Sequence, residues 1–135
     1  MCKIIRSSSV YETSPFGIKR QENFLNAVLK IETNYLLHDL FSFIKEVEKK
    51  LGRGNTYKWG PREIDLDLLF YDNIVFSDEK LTVPHAGIQF RDFVLTPLIE
   101  IEPALFHPVL KLKISDICMQ ETEKNIIRII NQGIL

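Results

Sequence analysis

An α/β or α+β sandwich, with helices packed on a sheet, is the fold class this chain predicts, and three observations predict it. Segments of period-two alternation and segments of helical spacing succeed one another along the sequence. Of the 135 residues, 45% are hydrophobic and 26% charged, enough to build a core in one domain spanning residues 1–135. Turns bearing glycine and proline separate the segments, with no internal repeat or low-complexity tract.

Lys3 to Tyr11 reads as a strand, with Ser7, Ser8 and Ser9 small enough for close packing. Thr13 to Gly17 is a Pro/Gly loop, which Ile18 to Asn23 extends. Phe24 to Glu32 alternates, placing Leu25, Ala27, Leu29 and Ile31 on one strand face. Apolar positions 37, 40, 41, 44, 47 and 51 predict a helix from Leu37 to Leu51, with Gly52 as its C-cap. Arg53 to Tyr57 is a polar loop. Ile64 to Phe70 reads as a strand, Asp72-Asn73 as a turn and Ile74 to Phe76 as a short return strand. Val83-Pro84-His85 is extended, and Phe90 to Ile101 reads helical despite Pro97. A second amphipathic helix is predicted from Ser115, its cap, to Asn131, before Gly133.

The formal net charge of −1 gives no electrostatic case for nucleic acid or an acidic membrane surface. No apolar run approaches a membrane span, and the N-terminus has no signal-peptide core. Cys2 and Cys118 form no metal or disulfide pattern, which points to a reduced, cytoplasmic setting.

The chemistry concentrates in Trp59-Gly-Pro-Arg-Glu-Ile-Asp-Leu-Asp-Leu-Leu69. In an extended strand, Ile64, Leu66 and Leu68 share one face, and Asp65 and Asp67 stand together on the other, their Cα atoms roughly 6–7 Å apart. An Asp-x-Asp pair ordinarily lies on the solvated face of an edge strand. Here Trp59-Gly60-Pro61-Arg62 delivers an aromatic ring and a guanidinium to the start of that segment. Two neighbouring carboxylates call for a cation, and oxygen ligands beside an arginine suit Mg²⁺ and a phosphorylated substrate.

A second cluster is Leu81-Thr-Val-Pro-His85 with Arg91 and Phe93; Pro84 aims His85, and Lys80 and Arg91 add positive charge. Taken alone, Phe24 and Phe93 read as core residues, and Lys45 and Glu48 as surface. Asn26, polar in mid-strand, needs a partner, and could read the edge of a planar heterocycle. His38 and His107 have no nearby partner set and are assigned no role.

Together, Gly60-Pro-Arg-x-x-Asp-x-Asp-Leu-Leu69, Leu81-x-x-Pro-His85 with Arg91-x-Phe93, and Tyr11-x-Thr13 through Phe24-x-Asn26 resemble the 6-hydroxymethyl-7,8-dihydropterin pyrophosphokinase family of folate biosynthesis, from about Lys3 to Pro108. The resemblance implies a ferredoxin-like α+β sandwich rich in antiparallel strands. It also implies transfer of the terminal diphosphate of ATP to the pterin's hydroxymethyl oxygen, releasing AMP, with two Mg²⁺ ions. Carried over by position, Asp65 and Asp67 would hold the metals. Arg62, Arg91, His85 and Lys80 would steady the phosphates. Trp59 would belong to a closing loop, and Glu48, Leu68 and Thr82 would lie around the nucleotide. Phe24 and Phe93 would sandwich the pterin, with Asn26, Thr13 and backbone groups of Pro15 and Phe16 at its edge.

The chain also departs from the family pattern. Family members begin with a strand, a Gly-Ser-Asn loop and a long helix ahead of the segment that starts here at Lys3. The expectation is therefore an N-terminally incomplete sandwich with exposed strand edges: a start site called too late, a truncated gene, or a chain completed by another copy. Phe24 replaces the commoner Tyr, Lys45 stands where a Gln is familiar, and Gly54 and Asn55 occupy a region where a second Arg is expected. Two further readings stand beside the leading one. One is a non-catalytic remnant that binds pterin or nucleotide; the other is a Mg²⁺-dependent phosphohydrolase using the same Asp pair.

Overall fold

The computed structural model describes residues 1–14, 23–52, 64–117 and 122–131. Within them the fold is α+β, and its paired strands run antiparallel beside two α-helices, in keeping with a ferredoxin-like sandwich.

Strand β1 (Cys2–Ser7) pairs with β4 (Leu29–Thr33), and β2 (Val10–Thr13) with β3 (Phe24–Asn26). The two long strands expected at 3–11 and 24–32 are thus each broken in two. At the break the Ser8 N–H donates to the Val28 carbonyl at 2.9 Å, and the Val28 N–H donates to Ser8 Oγ at 2.8 Å. A side-chain oxygen takes the place of one ladder carbonyl, so the pairing is interrupted while the polar groups stay satisfied. The expected inward face also shifts. Val28 is buried, whereas Leu25 and Leu29 are 64% and 42% exposed.

Ser9 continues the break. Its N–H and Oγ donate to the Glu100 carboxylate, which also accepts the Tyr11 hydroxyl at 2.7 Å. Burial pushes the Glu100 carboxyl up, but the bonds from Ser9 and Tyr11 outweigh it and leave it below its ordinary value.

Helix α1 (Leu37–Lys50) forms as its spacing predicts and closes at Leu51, with Gly52 taking a φ of 130° that favours glycine. Helix α2 (Asp92–Ile101) follows a short 3-10 turn at Ile88–Phe90 and keeps Pro97 buried within it. Its Leu95, Leu98 and Ile101 join Val28, Ile88 and Ile114 in the core.

The segment from Ile64 to Tyr71 is not a ladder strand, contrary to expectation. The Asp72 turn is present, with φ 50°, but the return strand β5 is Phe76–Ser77 and pairs with β6 (Thr82–Val83) instead. A further short pair, β7 (Phe106–His107) and β8 (Leu112–Lys113), precedes a 3-10 turn at Ile114–Asp116.

The predicted tail helix is overturned. Residues Ile126–Asn131 form β9, antiparallel to the free side of β2, with Glu12 accepting from Arg128 Nε at 2.7 Å across the pair. The run Ile126-Ile127-Arg128-Ile129-Ile130 also fits helical spacing, but β-branched side chains lose freedom in a helix and suit a pleated surface.

His107 is buried, edge-on to Phe70 with ring centroids 5.5 Å apart. Its Nδ1 accepts the N–H groups of Val109 and Leu110. Burial holds its pKa below the ordinary 6.5. The unfolded chain therefore binds this proton more readily, so the contribution is full above the ordinary value and is lost as pH falls below it. Melting temperature is expected to fall between about pH 7 and 5, and less steeply in His107→Asn. An identical slope in the variant would exclude His107 as the source.

Candidate active site

The Asp-bearing segment places its backbone bonds on its neighbours. The Leu66 N–H donates to Glu48 Oε2 at 2.5 Å, and Lys45 Nζ donates to the Leu66 carbonyl at 3.0 Å. The His85 N–H donates to the Leu69 carbonyl at 2.8 Å. Helix α1 and the stretch after β6 thus hold the segment between them without a ladder. Its side chains alternate: Ile64, Leu66 and Leu68 are half-buried, while Asp65 and Asp67 are exposed.

A cleft of about 430 Å³ opens over this arrangement. Asp67, Leu68, Lys80, Thr82 and His85, all named from the sequence, line it. So do Phe41, Lys45, Leu81 and Ala86: sequence reasoning gave no site role to Phe41 or Ala86, read Lys45 as surface, and quoted Leu81 only as a motif position. The signal for the first two was available, since Phe41, Lys45 and Glu48 lie at i, i+4 and i+7 on one helical face. Lys45 Nζ also sits 5.5 Å from the centroid of the Phe41 ring. Glu48, expected at the surface, is 1% exposed.

The β5–β6 hairpin brings Lys80, from its tip, and Thr82, from β6, to the cleft. Asp78 holds that tip by accepting the N–H groups of Lys80 and Leu81 at 2.9 and 2.8 Å. His38, for which no partner was expected, bonds Asp78 at 3.1 Å and stands edge-on to Phe76. That His38 bond, then those of the two backbone N–H groups, lowers the Asp78 carboxyl. At His85, Nδ1 accepts the Gly87 N–H at 3.1 Å, so the neutral ring carries its proton on Nε2, free to donate to an anion.

Thr13, Phe24, Asn26, Arg91 and Phe93, also named from the sequence, are not among the residues lining this cleft. Asn26 Nδ2 donates to Thr13 Oγ1 at 2.7 Å across the β2–β3 pair, which gives the mid-strand amide its partner. Phe24 is 45% exposed, so the core reading of this residue fails. Phe93 is half-buried, with the Arg91 guanidinium 5.9 Å from its ring centroid.

Between Arg91 and Phe93 stands Asp92, which the sequence reading passed over. It is buried, and its Oδ2 accepts the N–H groups of Asn125 and Ile126, both at 2.9 Å. Ile126 faces Thr13 in the β2–β9 register, and the Ser14 N–H donates to the Asn125 carbonyl at 2.8 Å. One carboxylate thereby links the Arg91–Phe93 turn to the Thr13–Asn26 pair.

Trp59, Arg62, Pro15 and Phe16 lie outside the described residues. Among the described residues, no three His, Cys, Asp or Glu side chains gather as a metal cluster. The exposed carboxylates of Asp65 and Asp67 are oxygen donors of the kind Mg²⁺ takes one or two at a time. None of the described helices is long and apolar enough to cross a membrane.

A carboxylate-bearing cleft with two lysines and a donating imidazole, carried on an α+β sandwich, defines a protein equipped to handle phosphate. The sequence model of 7,8-dihydro-6-hydroxymethylpterin-pyrophosphokinase (HPPK) matches residues 1–103, and the chain belongs to that family. It is 43% identical over 122 residues to the 2-amino-4-hydroxy-6-hydroxymethyldihydropteridine pyrophosphokinase of Aquifex aeolicus, covering 90% of this chain and 76% of that protein. With the enzyme of the same name from Methylorubrum extorquens, identity is 42% over 103 residues, 76% of this chain and 65% of the relative. With the mitochondrial folate synthesis bifunctional protein of Arabidopsis thaliana, identity is 40% over 98 residues, 73% of this chain but 18% of that longer protein. The chain thus spans less than two thirds of the last two relatives.

Proposed function

We propose that this chain transfers the terminal diphosphate of ATP to 6-hydroxymethyl-7,8-dihydropterin, as a cytoplasmic enzyme of folate synthesis folded as one domain. The observation that carries this reading is the cleft in which Asp67, Leu68, Lys80, Thr82 and His85 converge, in a chain of this family. The pterin hydroxymethyl oxygen attacks the β-phosphorus of ATP and loses its proton. The bond from that phosphorus to the oxygen bridging it to the α-phosphorus breaks, and AMP departs with the electron pair.

In this reading Asp65 and Asp67 hold two Mg²⁺ ions, which supply charge neutralisation for the phosphates. Lys80, His85, Arg62 and Arg91 bind phosphate oxygens, and Glu48, Leu68 and Thr82 lie around the nucleotide. Trp59 is assigned the exclusion of water from the site. Phe24 and Phe93 stack on the pterin, and Asn26, Thr13, Pro15 and Phe16 fix its edge.

Label tracing tests the reading against simple hydrolysis. Label from the γ-phosphate of ATP is expected in the pterin product and label from the α-phosphate in AMP. Release of γ-label as free phosphate at the same rate with or without pterin would refute it.

Gly87 offers a finer probe of Arg91. A methyl group there would lie 3.2 Å from Arg91 Nε and 3.3 Å from Cζ, while the Gly87 φ of −99° suits any residue. Gly87→Ala is expected to displace the guanidinium by a few tenths of an ångström and raise the KM for ATP about threefold, with stability changed by less than about 0.5 kcal/mol. An unchanged KM would remove Arg91 from the phosphate site.

A further inference from the structure

Leu66 separates the two acids, and both of its backbone polar groups are held by side chains of α1. Its N–H belongs to the peptide joining it to Asp65, and its carbonyl to the peptide joining it to Asp67. Glu48 takes the first at 2.5 Å and Lys45 the second at 3.0 Å. Lys45 and Glu48 stand 3.4 Å apart one helical turn from each other, with Glu48 1% exposed and the Lys45 side chain 37% exposed. Both bonds are charge-assisted, and the one to Glu48 is shielded from water, which makes them strong and directional.

From this geometry we infer that the Lys45–Glu48 pair is a positioning device that fixes the direction of the Asp65 and Asp67 carboxylates. It does for this segment what a neighbouring strand does elsewhere. Each clamp bond sets the peptide plane leading to one acid, so the two carboxylates keep a common orientation before any cation arrives. Glu48 is then a positioning residue acting through Leu66. The inference rests on the reading of Asp65 and Asp67 as metal holders.

The test is Mn²⁺ binding, followed by electron paramagnetic resonance with a saturating non-hydrolysable ATP analogue, alongside calorimetric pterin binding. In the unaltered chain, no bound Mn²⁺ would refute the metal reading itself, separately from the clamp. Glu48→Ala is expected to weaken Mn²⁺ binding about tenfold or more and leave pterin binding unchanged. Glu48→Gln, which keeps an acceptor for the Leu66 N–H, is expected to restore most of the loss. Should Glu48→Ala fail to fold, Lys45→Met decides, with Mn²⁺ binding expected to weaken about threefold or more. Unaltered Mn²⁺ binding in a folded clamp variant, or parallel loss of Mn²⁺ and pterin, would overturn the inference.

Discussion

Asp67→Ala is expected to lower kcat for pterin-dependent AMP formation by about 10³-fold, equivalent to about 4 kcal/mol of lost transition-state stabilisation. Asp67 is exposed, lines the cleft, and follows the residue whose backbone α1 clamps. Its removal opens no core cavity, so melting temperature is expected to stay close to that of the unaltered chain. Pterin binding, assigned to Phe24, Asn26 and Phe93, is expected to change by less than about twofold. Single-turnover kinetics with calorimetry on the same samples separates these effects. Near-normal turnover in the variant would remove the metal assignment from this carboxylate.

Asp92→Ala is expected to cost about 2–4 kcal/mol of stability, because one buried and one half-buried N–H group lose their acceptor. The consequence reaches beyond stability. Asp92 ties the start of β9 to the turn carrying Arg91 and Phe93, and β9 pairs with the strand carrying Thr13. Pterin affinity is therefore expected to fall in this variant more than nucleotide affinity. Asp92→Asn keeps one acceptor oxygen and is expected to lose less on both counts. Urea unfolding measures the first effect and calorimetry the second; equal stability of Asp92→Ala and the unaltered chain would contradict the hub role.

The elements most legible in the sequence are those whose stabilising contacts are local. Helix α1 announces itself through apolar spacing and Gly52, and the alternation around Asp65 and Asp67 appears unchanged in the burial pattern. That segment is nonetheless no ladder strand, because its partners are side chains from α1 and the His85 N–H, contacts made only on folding. Ser8 broke two predicted strands for a similar reason: its hydroxyl competes with the backbone for Val28.

At the tail, Ile126 to Ile130 satisfies helical spacing and strand propensity alike, and the open side of β2 decides between them. Glu48 read as surface because charge defaults to solvent, yet its ion pair and the Leu66 N–H make burial tolerable. Asp92 was hidden by position, since an acid opening a helix is already explained by the helix dipole.

Nucleotide chromatography of the 135-residue chain with ATP, Mg²⁺ and 6-hydroxymethyl-7,8-dihydropterin tests the central claim most directly. AMP formed in step with pterin diphosphate, and only when the pterin is present, is the predicted result. A folded sample that binds both substrates yet forms no AMP, or that forms ADP or AMP equally well without the pterin, would contradict it.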